Sequence, residues 1–193
     1  MEAGPSLRVM TSGGEDVVTT RRANADELRL LEPLWKSLQV HHARITPRIG
    51  PSPKRDIDES WRRRLVKYER WIREPDTFVV LAERGGRPVG YAFVTVVLGH
   101  ASWASGDRIA ELQTLAVAEE ERGSGVGTAL MGAVREGMAQ LGLSELTVTA
   151  ARSNRDAHRF YERHGLVPAF EVFYGHPGPP EASAANGEHR TRG

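Results

Sequence analysis

Residues 122–128 read Arg-Gly-Ser-Gly-Val-Gly-Thr, three glycines spaced by small residues behind an arginine. Glycine tolerates left-handed backbone and lets a chain approach a ligand closely, so such a run can turn bare N–H groups toward an anion. The residues before it, Ile109 to Val117, read as a strand. Those after it carry apolar side chains at 126, 130, 133, 134, 138 and 141, which is helical spacing. A helix that begins on a glycine loop presents unpaired amides and the positive end of its dipole. Together these features make a cradle for phosphate and predict a ligand that carries one.

Spacing narrows the ligand further. A nucleotide-triphosphate loop needs a Gly-Lys pair, and none follows Gly123. A dinucleotide fingerprint begun at Gly123 and Gly125 needs a third glycine where Thr128 stands; begun at Gly125 and Gly127, it needs one at Leu130. Both of these nucleotide readings fail.

Other chemistries are constrained by composition. The chain has no cysteine, hence no thiolate nucleophile, disulfide or cysteine-based zinc site. Its seven histidines do not converge in sequence: His41 and His42 are adjacent, and His158 and His164 are six apart, so no metal is expected. With 26 basic and 25 acidic residues, no global field draws the chain to nucleic acid or a membrane surface. No secretory signal and no run of eighteen apolar residues is present, which predicts a soluble, cytoplasmic protein.

The elements that must position the loop follow from periodicity and punctuation. A tail is expected at 1–15, one α/β domain at 16–174, and a disordered Pro- and Gly-rich tail at 175–193. A first strand is expected near 16–22. Next comes a helix capped by Asn24 or Asp26, carrying Leu28, Leu31, Leu34, Trp35 and Leu38, with Pro33 allowing a start at Glu32. Residues 47–53 read as a loop, followed by a helix with Trp61, Leu65, Tyr68 and Ile72 on one face. On that helix Arg62, Arg63, Arg64, Lys67, Arg70 and Arg73 read as the solvated side. Strands at 77–82 and 88–98 flank the hairpin signal Arg84-Gly85-Gly86-Arg87. After the 99–106 loop and the strand ending at Val117, the helix runs to about Leu141; a strand at 145–149, a helix at 154–164 and a last strand at 167–173 complete the order.

The Arg-x-x-Gly-x-Gly pattern from Arg122 to Gly127 resembles the signature of the GNAT-type N-acetyltransferase superfamily. Glu111 to Val117 is similar to that family's fourth strand, and Ser153-Asn154 through Tyr161 to Leu166 is similar to its next helix. The likeness is strong over 107–168. It implies a mixed, mostly antiparallel central sheet flanked by helices. Many members carry a further strand after the last, where this chain has a Pro-rich tail, so walls built by that strand are not assumed.

What the resemblance implies chemically is transfer of an acetyl group from acetyl-CoA to a primary amine by direct attack, with no metal. The amides of Arg122, Gly123, Ser124, Gly125, Val126, Gly127 and Thr128 would hold the pyrophosphate. Backbone groups of Leu115 and Val117 would pair with the pantetheine arm, and Asn154 would touch it. The Val117 N–H would face the thioester oxygen, a contact whose loss costs on the order of 3 kcal/mol of barrier. Glu111 would act as general base, with Gln113 on the same face orienting a water, unless Glu111 is only a solvated strand residue. Tyr161 would act as general acid toward the thiolate, unless it is a core aromatic. His42 and Arg44 border the acceptor side in the family layout, although a surface histidine fits the residues better. Other expectations compatible with the residues are a non-catalytic CoA-binding sensor and an enzyme for another acyl-CoA. The acceptor, a small-molecule or protein amine, is open, and so is a homodimer.

Overall fold

The computed structural model describes residues 17–175. The expected tails at 1–15 and, Gly175 apart, 175–193 lie outside the described residues. A five-stranded sheet forms the centre. Its strands are β1 (Val18–Ala23), β4 (Phe78–Arg84), β5 (Arg87–Leu98), β6 (Arg108–Val117) and β7 (Leu146–Val148), in the spatial order β1-β4-β5-β6-β7. The first three pairings are antiparallel, and β6 with β7 is parallel. The parallel pair is joined by α3 (Val126–Gln140), as a parallel crossover requires.

Strand β4 explains why both faces of the sheet are covered. Phe78, Val79, Val80, Leu81 and Ala82 are all buried, and alternation sends the even-numbered side chains to one face and the odd-numbered to the other. The even face joins Ala92, Val94, Ala110 and Leu112 against Val126, Leu130, Met131 and Val134 of α3. The odd face joins Tyr91, Phe93 and Ala116 against α1 (Glu32–Ile45) and α2 (Ile57–Trp71), through Leu34, Trp35, Trp61 and Tyr68. Each helix keeps its apolar stripe inward, as the spacing predicts.

Local starts and stops follow the punctuation. Asn24 opens a 3₁₀ helix at Ala25–Leu31, its own N–H donating to Glu27 Oε2 at 2.8 Å, and Pro33 sits in the first turn of α1. Both starts anticipated for this helix therefore occur, one after the other. The carboxylate of Asp56 accepts from the N–H groups of Asp58 and Glu59, each at 3.0 Å, and begins α2. The β4–β5 hairpin turns on Gly85 and Gly86, both with positive φ, which matches the twist a tight hairpin needs.

Three expectations are corrected. The 47–53 loop contains a small antiparallel ladder, β2 (Arg48–Ile49) with β3 (Ser52–Pro53), too short to show in a periodic pattern. Arg64 does not join the solvated side of α2: its guanidinium lies 4.3 Å from the Trp35 ring centroid, with Tyr68 and Trp71 further around it. The strand anticipated at 167–173 does not form. Pro168 lacks a ladder donor, and among the described residues no neighbouring strand supplies partners for this stretch.

Candidate active site

The glycine loop sits between β6 and α3, and its three glycines serve two physical ends. Gly123 and Gly125 adopt φ of +80° and +90°, a region that disfavours any Cβ. Apart from their chain neighbours, no atom of the described residues lies within 4 Å of where their Cβ atoms would be, so the loop is open on that side. Gly127 has ordinary dihedrals but faces Phe160, whose ring a Cβ would meet at 3.0 Å. That contact lets α4 (Arg155–Arg163) lie close against the start of α3. Helix α3 begins with Ala129 N–H donating to Gly125 O, which leaves the preceding amides without intrahelical acceptors.

A buried acid anchors the loop. Glu121, only 8% exposed, accepts from Arg84 Nε at 3.1 Å, and Ser124 Oγ donates to the Glu121 carbonyl at 2.7 Å. Glu121, the last of three consecutive glutamates, carries no local signal of this role, because its partner lies 37 residues away. Arg122 points outward, with Nη1 3.4 Å from His41 Nδ1, and Arg44 pairs with Glu119 at 3.1 Å. The C-terminal half of α1 is therefore tied to the loop.

Strands β6 and β7 part company. They pair only over Ala110–Leu112 and Leu146–Val148. Beyond Leu112, no strand among the described residues occupies the β7 side of β6. The β5–β6 register explains the turn: Phe93 pairs with Thr114 but Val94 with Leu112, so Gln113 is an extra residue, a β-bulge that bends its strand. After the bulge, Ala118 N–H donates to Val89 O at 2.9 Å. Alternation then directs the backbone groups of Ala116 toward β5, and those of Leu115 and Val117 into the gap.

Three hydroxyls hold the bulge. Tyr68 O–H donates to Thr114 Oγ1 at 2.7 Å, and Thr114 O–H donates to the Gln113 carbonyl at 2.7 Å. Since the Tyr68 proton is committed, Tyr91 must donate across the 3.0 Å contact between the two phenols. Burial raises both phenols above their usual value, which keeps them protonated. Tyr68 also stacks on Phe93 at 4.2 Å. Gln113 Nε2 donates to Thr95 Oγ1 at 2.9 Å, fixing the amide on the α1/α2 face.

The remaining expected residues fall into two groups. Glu111 stands opposite Thr95 and Thr147, on the same face as Gln113, half-buried, and its carboxylate has no partner among the described residues. Asn154 caps α4, its Oδ1 accepting from Ala157 N–H at 3.2 Å, which leaves its NH₂ uncommitted. Tyr161 packs against the α3-side core and lines a cavity of about 2830 Å³. Burial pushes its hydroxyl up to about 12. The cavity runs from β7 and α4 to His42, Thr46 and the β2–β3 hairpin; Glu111, Leu115, Val117 and residues 122–128 are not part of its lining. Thr46 and Ser153 share a hydroxyl hydrogen bond that ties the end of α1 to the connection before α4. Among the described residues, no group of His, Asp and Glu is arranged to hold a metal, and no helix is long and apolar enough to cross a membrane.

Two outcomes follow. Tyr68→Phe leaves Thr114 and Tyr91 short of a partner, a loss of about 1–3 kcal/mol, or a fall in Tm of roughly 2–10 °C. A change below about 0.5 kcal/mol would show that the hydroxyls do not hold the bulge. Burial, then the charges of Lys54, His41 and Arg122, hold the His42 imidazole down to about 4, against 6.5 unfolded. As pH falls below 6.5 the unfolded chain takes up a proton that the folded site refuses until about 4, so stability declines across that window. His42→Gln should reduce that decline by up to about one proton in the linkage slope. Equal slopes in thermal melts of the two proteins would refute it.

The sequence model of the acetyltransferase (GNAT) family matches residues 37–166, more than half of the chain. The chain is 38% identical over 96 residues to an aminoalkylphosphonate N-acetyltransferase of Salmonella typhimurium, a match covering 48% of this chain and 58% of that protein. It is likewise 38% identical over 96 residues to an uncharacterized N-acetyltransferase of Methanocaldococcus jannaschii, covering 49% and 55%. The chain thus spans little more than half the length of these two relatives. Among solved structures, the fold is similar to a GCN5-related N-acetyltransferase from Ralstonia eutropha (TM-score 0.64, 19% identity, 81% of this chain and 97% of that one). It is also similar to aminoglycoside N-acetyltransferase AAC(6')-Iy in complex with CoA (TM-score 0.62, 16% identity, 86% and 97%). Strand β6, the glycine loop and α4 stand in the order that the sequence resemblance implied, and the chain belongs to the acetyltransferase (GNAT) family.

Proposed function

We propose that this protein moves an acetyl group from acetyl-CoA to a primary amine by direct attack within a ternary complex. The observation that carries the reading is the gap beyond Leu112, where the backbone groups of Leu115 and Val117 have no strand partners among the described residues, beside an open glycine loop. Strand groups left unpaired in a cleft cost free energy unless a ligand meets them, and an amide-bearing arm does so as an added strand would. The open side of Gly123 and Gly125, together with the free amides at the start of α3, fits a diphosphate.

Each residue then has a task. The amides of Gly123 and of residues 125–128 bind the diphosphate, while those of Arg122 and Ser124 already donate to the Glu119 and Glu121 carbonyls, at 3.3 and 3.4 Å. The NH₂ of Asn154, free of its capping role, contacts the arm. Glu111, unpaired and on the Gln113 face, takes the proton from the amine through a water. The amine nitrogen bonds to the thioester carbon, the carbon–sulfur bond breaks, and the sulfur departs with its electron pair. The Val117 N–H supports the charge developing on the carbonyl oxygen.

Burial raises the Tyr161 hydroxyl to about 12 and keeps it protonated, a donor for the departing thiolate. The acceptor side carries Lys54, whose ammonium is desolvated and bonded to Gln39 Oε1 at 3.2 Å. A cation in that wall favours an amine that brings an anionic group with it, and the Salmonella relative's name describes such an acceptor for that protein.

A thiol-release assay with acetyl-CoA and a panel of amines, aminoalkylphosphonates included, should register turnover. Glu111→Gln should lower kcat by about 10²–10⁴-fold with little change in acetyl-CoA affinity. Binding of acetyl-CoA without turnover on any amine would favour a sensor instead, and turnover only with a larger acyl-CoA would reassign the donor.

A further inference from the structure

Only three of the chain's 26 basic residues are lysines: Lys36, Lys54 and Lys67. The distinction matters beside an acyl donor. An arginine stays protonated and does not attack a thioester, whereas a lysine that sheds its proton does. Lys36 is held as an ammonium. It pairs with Asp58 at 2.6 Å and Glu32 at 2.8 Å, and the hydrogen bonds to these carboxylates, Asp58 first, push it up to about 12. Lys67 is exposed on α2, its ammonium 5.9 Å from the Trp71 ring centroid. Neither borders the cavity that Tyr161 lines.

Lys54 does border it. The residue lies between the β2–β3 hairpin and α2, across from Gln39, His42, Ala43 and Thr46, which form one face of α1 by their spacing and line the same cavity. Its Nζ donates to Gln39 Oε1 at 3.2 Å, and among the described residues no carboxylate pairs with it. Burial lowers the Lys54 ammonium below its usual value, the reverse of Lys36. Once neutral, the amine keeps an N–H on Gln39 and has its lone pair free to attack. At about 2830 Å³ the cavity has room for this side chain beside the thioester end of a donor.

We propose that Lys54 is a self-acetylation site: while the cavity holds no acceptor, its Nζ takes the acetyl group from the chain's own acetyl-CoA. This rests on the acyl-transfer reading, in which Tyr161 serves the departing sulfur within the same cavity. The ammonium loses one proton to solvent, Nζ bonds to the thioester carbon, and the carbon–sulfur bond breaks with its electron pair on sulfur. The nitrogen sheds a second proton and the thiolate takes one up, so each acetyl-lysine releases one thiol and one proton. The amide that forms carries no charge. Acetylation therefore strips the wall of the cation that favours an anionic amine, and a bound acceptor shields Lys54 from it. The site thus records an excess of donor over acceptor.

Incubating the full chain with acetyl-CoA and no amine, then mapping acetyl-lysine by peptide mass spectrometry, tests this. Lys54 should be labelled at least ~10-fold faster than Lys36 or Lys67. The rate per chain should not depend on protein concentration, and aminomethylphosphonate should slow it. Acetylated wild type and Lys54→Gln should both show a KM for aminomethylphosphonate raised by roughly 10-fold, with kcat less affected. Lys54→Arg, which keeps the charge and takes no acetyl group, should show no such rise after the same incubation. Labelling spread evenly over the three lysines overturns the proposal, as does a rate that climbs with protein concentration. A Lys54 left unlabelled while the same sample turns over amines overturns it too, and leaves the acyl-transfer reading standing. A sample that neither binds acetyl-CoA nor turns over any amine removes that reading, and this proposal with it.

Discussion

A single inserted residue in β6 governs the chemistry available to this fold. Gln113 bulges out of the ladder with β5, and just past it β6 leaves β7. Without the bulge, alternation would continue unbroken and Leu115 and Val117 would send their backbone groups toward β5. With it, they face the gap. The carbonyl of the extra residue would be costly to leave unpaired in the interior, and Thr114 satisfies it, backed by Tyr68 and Tyr91. A hydroxyl chain that starts on α2 thus reaches the strand that borders the cleft.

The loop and the gap are built independently and meet. The loop depends on backbone freedom at Gly123 and Gly125, on the close approach of Phe160 to Gly127, and on Glu121 held beneath it by Arg84. The gap depends on the bulge. Helix α1 touches both sides, through His41 to Arg122, Arg44 to Glu119 and Thr46 to Ser153. Motion of α1 would therefore be felt at the loop and at the start of α4 together.

Legibility in the sequence followed the range of the interaction. The glycine loop, the hairpin at Gly85-Gly86 and the helix faces are local patterns, and the sheet-and-helix order could be read from them. Glu121 reads as one more surface acid because nothing nearby in sequence says that Arg84 lies beneath it. Gln113 and Thr114 are ordinary strand residues; only the Tyr68 hydroxyl, 46 positions from Thr114, marks the bulge. Arg64 obeys helical spacing on the polar side but stacks on Trp35 because a guanidinium can lie flat against a ring. The stretch 167–173 has strand composition without strand pairing, since a ladder needs a neighbour that composition cannot provide. For Glu111 and Tyr161 the sequence shows residue type and position, but neither the absence among the described residues of a partner for one carboxylate nor the burial around one phenol.

The cleft serves acetyl transfer only if the amides of Leu115 and Val117 meet the cofactor arm in the gap. Amide hydrogen exchange at these two positions, followed by NMR with and without saturating acetyl-CoA, measures this most directly. Both should slow on binding, while Ala116, already turned to β5, should change little. Saturable binding that leaves Leu115 and Val117 exchanging as before would contradict it.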